Sequence, residues 1–429
     1  MCRTGCPLAN RIPEWLALAA DGKFMEASAL SHSTSNMPEI CSRVCPQERL
    51  CEGACILNAR SDPVAIGAVE KFINEFALAR GEMRGHTVPR NGARVAVVGS
   101  GPGGLACADE LVKLGYSVTV FEAQLTPGGL LMTGIPAFKL DRGVVERRLD
   151  VLRQRGVAFR LGVTIGRGLS LGELRKRYDA IFLAIGAQVS KVPEIPGVEL
   201  KGVLDALPFL AQTKVGALAQ APPIDVEGKS VAILGGGDTA MDCLRSALRR
   251  GAREAVCLYR RDLANMPGSR KEYYNALDEG ARFHFLTNPI AIEGSSHGQV
   301  TQVRCVRMEL GEPDASGRRK PRAVPGSEFV VPADLVLIAY GFDPPPVHGV
   351  GPFLKIATND WGGVIVNSDQ TTSVPGIFAG GDLVRGPSLV AHAVRDGRIA
   401  AAGIDRYLIQ EKEDALSECP LAIRPASVA

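Results

Sequence analysis

The chain has 429 residues, too many for a single hydrophobic core, so two or three domains are expected. Its 49 basic and 46 acidic residues leave a net charge of +3, which gives no reason to expect nucleic acid. Hydrophobic content of 46% suits a globular protein, and no apolar run approaches the roughly 20 residues of a membrane span.

The opening stretch, MCRTGCPLANRIPEW, has neither the apolar core nor the cleavage site of a signal peptide, which points to a cytoplasmic protein. Six of the eleven cysteines fall in the first 55 residues, at Cys2, Cys6, Cys41, Cys45, Cys51 and Cys55. The last four form C-x3-C-P-x4-C-x3-C, and Cys2 and Cys6 repeat the C-x3-C-P step. A disulfide framework needs an oxidising compartment, which nothing in the sequence supports. Structural zinc favours C-x2-C pairs. The x3 and x5 spacings, with prolines right after Cys6 and Cys45, fit iron–sulfur ligation better.

Residues 13–30 predict two short helices broken near Asp21-Gly22. Ile66, Val69, Ile73, Phe76 and Arg80 follow a 3.6 period, predicting an amphipathic helix over 65–80 that Gly81 ends. The head, residues 1–85, is thus expected to be a small helical iron–sulfur domain with little core, reliant on its metals. A polar stretch, RGEMRGHTVPRNGA, links it to the rest.

From Arg94 the pattern becomes strand, glycine turn, helix, strand, first in RVAVVGSGPGGLACADELVKLGYSVTVFE and again in SVAILGGGDTAMDCLRSALRRGAREAVCLYRR. The fold class is therefore α/β, with two tandem Rossmann-like dinucleotide-binding domains. DAIFLAIGAQ and ADLVLIAYGFDP repeat one design after each unit, and GIFAGGDLVRGPSLVAHAVRDGR supplies a closing strand, turn and helix. The first domain is expected to be interrupted by the second: residues 93–212 and 341–429 around 213–340. The last dozen residues read as a loose tail.

The first loop, Gly99-x-Gly101-x-x-Gly104, follows a strand and opens a helix, where free N–H groups and the helix dipole favour a pyrophosphate. The next strand ends at Glu122, whose carboxylate can accept from ribose hydroxyls. In the second loop, Gly235-x-Gly237-x-x-Ala240, Asp238 and Thr239 open the helix. Its following strand ends in Arg260-Arg261, with Arg270 a little further on. Guanidinium groups there suit a 2′-phosphate, so the first loop is assigned FAD and the second NADPH. Gly128-Gly129-Leu130 and Gly380-Gly381-Asp382 are further candidates for the flavin, with Asp382 either holding ligand hydroxyls or capping a turn.

Together GCPLANRIPEW, MPEICSRVCPQERLCEGAC, VGSGPGGLACADEL, GGLLMTGIPAFKL, GGGDTAMDCLRSALRRGA and GDLVRGPSLVAHAVRDGR resemble the small (beta) subunits of bacterial NADPH-dependent glutamate synthases, over nearly the whole chain. The same superfamily holds the NADPH-oxidising half of dihydropyrimidine dehydrogenase and the large subunits of bifurcating ferredoxin–NADP reductases. The resemblance implies FAD, NADPH and 4Fe–4S clusters in the head. It implies that Cys2 and Cys55 share one cluster with a C-x2-C pair that the family carries upstream and this chain does not. Cys6, Cys45 and Cys51 would hold the other, completed by Cys41 or by Glu70. It further implies a hetero-oligomer with the glutamate synthase large (alpha) subunit, which makes glutamate from glutamine and 2-oxoglutarate. The flavin reaction needs no acid or base side chain, so no catalytic residue is assigned. A thioredoxin-reductase-like redox pair is not expected, because the chain has no C-x2-C. The competing reading from another class is a non-catalytic scaffold that binds nucleotide and metals.

Overall fold

A computed structural model describes residues 1–81, 88–215, 224–313, 319–347 and 356–417. Part of the polar linker, 82–87, and the expected tail, 418–429, lie outside the described residues. The chain divides into two compact units. One comprises Met1–Gly129, Glu146–Gly186 and Pro344–Ala429; the other comprises Leu130–Val145 and Ala187–Asp343.

In the first unit five parallel strands lie in the order Ile377–Ala379, Ala180–Leu183, Arg94–Val98, Ser117–Glu122, Ala158–Leu161. Val95, Val97, Val120, Phe182 and Ile377 are fully or almost fully buried, the signature of strands covered on both faces. The central strand, Arg94–Val98, is the first in sequence; the next two strands lie on one side of it and the strands at Ala180–Leu183 and Ile377–Ala379 on the other, so the strand order reverses there. Its C-terminal end is therefore a topological switch point, where ligands of such sheets bind. The helix Pro102–Lys113 leaves that end. The closing helix Val390–Ser417 packs against it so tightly that a Cβ on Gly397 would stand 2.2 Å from the Gly103 carbonyl.

The head belongs to this unit. Its helices are Ile12–Ala20, Phe24–Thr34, Pro38–Val44 and Ile66–Ala79, with a short turn of helix at Cys2–Gly5. The first two break at Gly22, whose φ of +74° favours glycine. Trp15, Ile12, Ala27, Ile66 and Ile73 form a compact core, and Trp15 is completely buried. An indole of that size contributes about 4–6 kcal/mol by area. The head thus has more of its own core than the sequence suggests.

The second unit repeats the plan. Its parallel strands run Val203–Asp205, Leu335–Ile338, Ser230–Leu234, Glu254–Tyr259, Arg282–Phe285, again with the glycine-loop strand in the middle. Three antiparallel strands, Thr287–Gly294, Val300–Pro313 and Arg319–Pro332, form a separate sheet. This unit takes over at Ala187, upstream of residue 213, because Val203–Asp205 pairs in register with Val336–Ile338.

Candidate functional site

Each glycine loop has a first glycine that must be glycine and a second that leaves room. Gly99 sits at φ +102°, and a Cβ there would come within 2.4 Å of the Ala184 carbonyl. Gly235, at φ +142°, meets the Ala339 carbonyl at 2.3 Å in the same way. Around Gly101 and Gly237 a Cβ would find nothing within 4 Å. Both are extended N-cap residues without a side-chain cap, so each following helix presents uncapped N–H groups to an open cradle. These cradles fit a pyrophosphate. The third positions differ: a Cβ on Gly104 would stand 2.0 Å from the Gly99 carbonyl, whereas the second loop has a fully buried alanine, Ala240, at that place.

Glu122 is buried and braces the first loop. Its Oε2 accepts from the N–H of Ser100 at 3.0 Å and from the Ser100 hydroxyl, and its Oε1 accepts from Gln124 N–H at 2.9 Å. A carboxylate offers about four acceptor positions, so one remains for a ribose hydroxyl. Ser100 also accepts from Gly128 N–H at 2.8 Å, which seats Gly129 on the Gly101 backbone. Sequence reasoning missed Ser100, and nothing in its spacing marks it. Leu130 begins a short helical turn that belongs to the second unit.

Gly381 and Asp382 follow the closing strand. The Gly381 N–H donates to Asp396 Oδ2 at 3.0 Å, and Arg385 Nε donates to the same oxygen at 2.8 Å. Asp396 is completely buried and sets the turn; sequence reading passed over it. Asp382 Oδ1 accepts from the N–H of Ser388 at 3.1 Å and from its hydroxyl at 3.0 Å, which is a capping arrangement.

In the second unit, Arg260 is exposed just past Tyr259, whose ring a Cβ on Gly236 would strike. The segment after it folds back over the loop: Gly268 N–H donates to Gly236 O, and Ser269 N–H donates to Asp238 Oδ1. Arg270 is thereby carried to the loop. Its Nη2 donates to Ala264 O at 3.2 Å, while its Nη1 is buried without an acceptor among the described residues. An unmatched guanidinium N–H there fits a phosphate. Arg261 is turned aside, donating through Nε to Arg319 O on the antiparallel sheet. Thr239 is half-buried on the helix's first turn.

The head gathers Cys6, Cys41, Cys45, Cys51 and Glu70 around one cavity, together with Asn10, Ser35, Gln47 and Ala391. Cys41 and Cys45 are one helical turn apart, on and just after Pro38–Val44, a helix that the cysteine spacing hid. Neither Cys2 nor Cys55 lines this cavity. Every cysteine among the described residues is a free thiol. Burial pushes the Cys6 thiol up and that of Cys51 to about 12. A hydrogen bond with Cys45, then burial, pushes Cys41 up, and burial lifts Glu70 to about 8. Such a donor set ionises only beside strong positive charge, as iron supplies. Among the described residues no three His, Cys, Asp or Glu side chains are placed to hold one metal ion. Four thiols and a carboxyl that line one cavity are the donor types that hold an iron–sulfur group.

A buried charge network ties the cysteine helix to the first sheet's helices. Arg148 donates to Glu39 through Nε–Oε1 at 2.7 Å and Nη2–Oε2 at 2.9 Å. Asn36 donates to Asp109 at 2.7 Å and Glu110 at 2.6 Å, and Arg398 donates to Asn36 at 3.0 Å. Burial raises Asp109, but Lys113, Arg155 and Arg148 outweigh it and hold the carboxyl far below its usual range.

Residues 93–397 match the family described as pyridine nucleotide-disulphide oxidoreductase, and residues 1–82 match dihydropyrimidine dehydrogenase domain II, 4Fe-4S cluster. The chain is 46% identical over 419 residues to the glutamate synthase [NADPH] small chain of Escherichia coli, covering 95% of itself and 88% of that protein. It is 47% identical over 422 residues to the putative oxidoreductase AegA of Escherichia coli, again over 95% of this chain but only 63% of AegA's length. Among solved structures it is similar to FprA from Mycobacterium tuberculosis in complex with NADPH, with a TM-score of 0.63 and 24% identity over 76% of this chain and 86% of FprA. At that identity the likeness shows the fold. Among the described residues no helix is long and apolar enough to cross a membrane.

Proposed function

The chain belongs to the pyridine nucleotide-disulphide oxidoreductases and, within them, to the NADPH-dependent glutamate synthase small chains, and from this we propose its role. It oxidises NADPH and passes the electrons through FAD and iron–sulfur to a glutamate synthase large subunit, in a cytoplasmic hetero-oligomer. The observation that carries this reading is the position of Ala391. It lines the cysteine cavity, and it lies on the closing helix just after the Asp382–Ser388 turn assigned to the flavin.

FAD, when bound, supplies the exchange between the paired electrons of a nicotinamide and the single electrons that iron–sulfur accepts. The protein's own contribution is binding and orientation. Gly99, Gly101 and Gly104 form the flavin cradle, with Glu122, Gly129, Gly381 and Asp382 around it. Gly235, Gly237, Asp238 and Thr239 form the NADPH cradle, and Arg260 and Arg270 meet the 2′-phosphate. Cys6, Cys45 and Cys51, with Cys41 or Glu70, hold one 4Fe–4S group, while Cys2 and Cys55 stand apart for another. No side chain is asked to move a proton.

Anaerobic titration with NADPH is expected to bleach the flavin absorbance of the purified protein. An unchanged spectrum would reject the enzyme reading in favour of a scaffold. Co-purification with a large glutamine-amidotransferase chain is the expected partnership; a pyrimidine-binding partner would move the protein to the dehydrogenase branch. Arg260→Ala should raise the KM for NADPH about 10- to 100-fold, the scale of a lost charged hydrogen bond, and leave the KM for NADH nearly unchanged. Equal effects on both would remove Arg260 from the phosphate site.

A further inference from the structure

We infer that the Ser35 hydroxyl donates a hydrogen bond to a sulfur of the iron–sulfur group held by the Cys6, Cys41, Cys45 and Cys51 cavity, and raises its reduction potential. The inference rests on the reading of that cavity as a cluster site. Ser35 lines the cavity and is 1% exposed, and its Oγ has no hydrogen-bond partner among the described residues. Buried hydroxyls are seldom left this way without a ligand or water to meet them.

The other polar side chains of the wall are occupied. Asn10 donates to Glu70 at 3.0 Å and accepts from Trp15 at 3.3 Å and Thr34 at 2.9 Å. Gln47 donates to Ser42 O at 2.8 Å. Among the described residues, the Ser35 hydroxyl lines the cavity with its donor unspent.

Its position is fixed from both sides. The backbone N–H of Ser35 closes the helix Phe24–Thr34 by donating to Ser31 O at 3.2 Å. The next residue, Asn36, is pinned by Asp109, Glu110 and Arg398. A hydroxyl so held cannot turn to solvent. Reduction adds negative charge to a cluster and its thiolate sulfurs, and a donor aimed at those sulfurs favours the reduced form.

The test uses the full chain, reconstituted anaerobically, with iron and acid-labile sulfide measured first. The EPR signal that Cys51→Ser abolishes identifies the cluster concerned. Ser35→Ala should shift its reduction equilibrium about three- to tenfold toward the oxidised form, on the scale of one hydrogen bond. Tenfold corresponds to a midpoint about 59 mV lower for a one-electron couple. Ser35→Thr, which keeps the hydroxyl, should restore the wild-type midpoint. In the wild-type protein, the reduced cluster should also couple to a proton that exchanges in deuterium oxide. An unshifted midpoint in an iron-replete Ser35→Ala protein overturns the assignment, and so does a wild-type cluster without that exchangeable proton. A wild-type protein that takes up no iron would overturn the cluster reading itself.

Discussion

Arg148→Met is expected to lower the stability of the protein to urea by about 3–5 kcal/mol, the cost of leaving a buried charge unpaired. Arg148 is 2% exposed and Glu39 3%, and both oxygens of the carboxylate are met by the guanidinium. In the intact protein, burial and then Arg148 push the nearby His32 imidazole down to about 3, so the arginine is the charge that balances Glu39. Once Arg148 is gone, Glu39 must either keep an uncompensated charge or take up a proton, and both oppose folding. Glu39→Gln leaves the converse orphan. Combining the two substitutions should recover about 1–3 kcal/mol of the summed loss, since neither charge then remains. Circular dichroism across a urea series measures this. A loss below about 1 kcal/mol for either single change, typical of an exposed pair, would reject the buried clamp. Because Glu39 lies on the same helix as Cys41, the single variants should also retain less iron after purification.

What the sequence made legible were features with a repeating or fixed local spacing. The two glycine loops, the strands before them and the thiol spacings are all short-range patterns, and short-range patterns survive in a one-dimensional reading. Cys6, Cys41, Cys45, Cys51 and Glu70 line one cavity; their grouping as ligands came from the family resemblance rather than from spacing, with the choice between Cys41 and Glu70 open. The parts that stayed hidden depend on partners far apart in the chain. Glu39 and Arg148 are 109 positions apart, and Asn36 and Arg398 are 362 apart; no periodicity announces either pair. Ser35, Ser100 and Asp396 each act through a single hydroxyl or carboxylate at a fold-determined spot. Arg261 shows the opposite failure. An antiparallel sheet that the sequence left undescribed offers it the Arg319 carbonyl.

Alanine at Gly99 and alanine at Gly101 should fail in different ways, although the two positions are separated by one residue. Gly101 has φ −66° and ψ 178°, which any residue adopts, and its Cβ would touch nothing. Gly101→Ala is therefore expected to fold within about 0.5 kcal/mol of the parent, as surface substitutions do. Its methyl would fill the space where a pyrophosphate must approach the helix N-terminus, so the purified protein should lose most of its FAD. Gly99→Ala meets a carbonyl at 2.4 Å and a left-handed φ together. Backbone strain of about 1–3 kcal/mol adds to that overlap, so the variant should lose stability before cofactor binding is even at issue. The second unit supplies the control. Gly237→Ala, in the matching open cradle, should retain FAD and lose NADPH affinity, whereas Gly235→Ala should unfold like Gly99→Ala. FAD per chain from the visible spectrum, set beside thermal unfolding of the flavin-free protein, separates the two kinds of loss. Full FAD occupancy in Gly101→Ala would mean that the open space beside this residue is not where the dinucleotide lies.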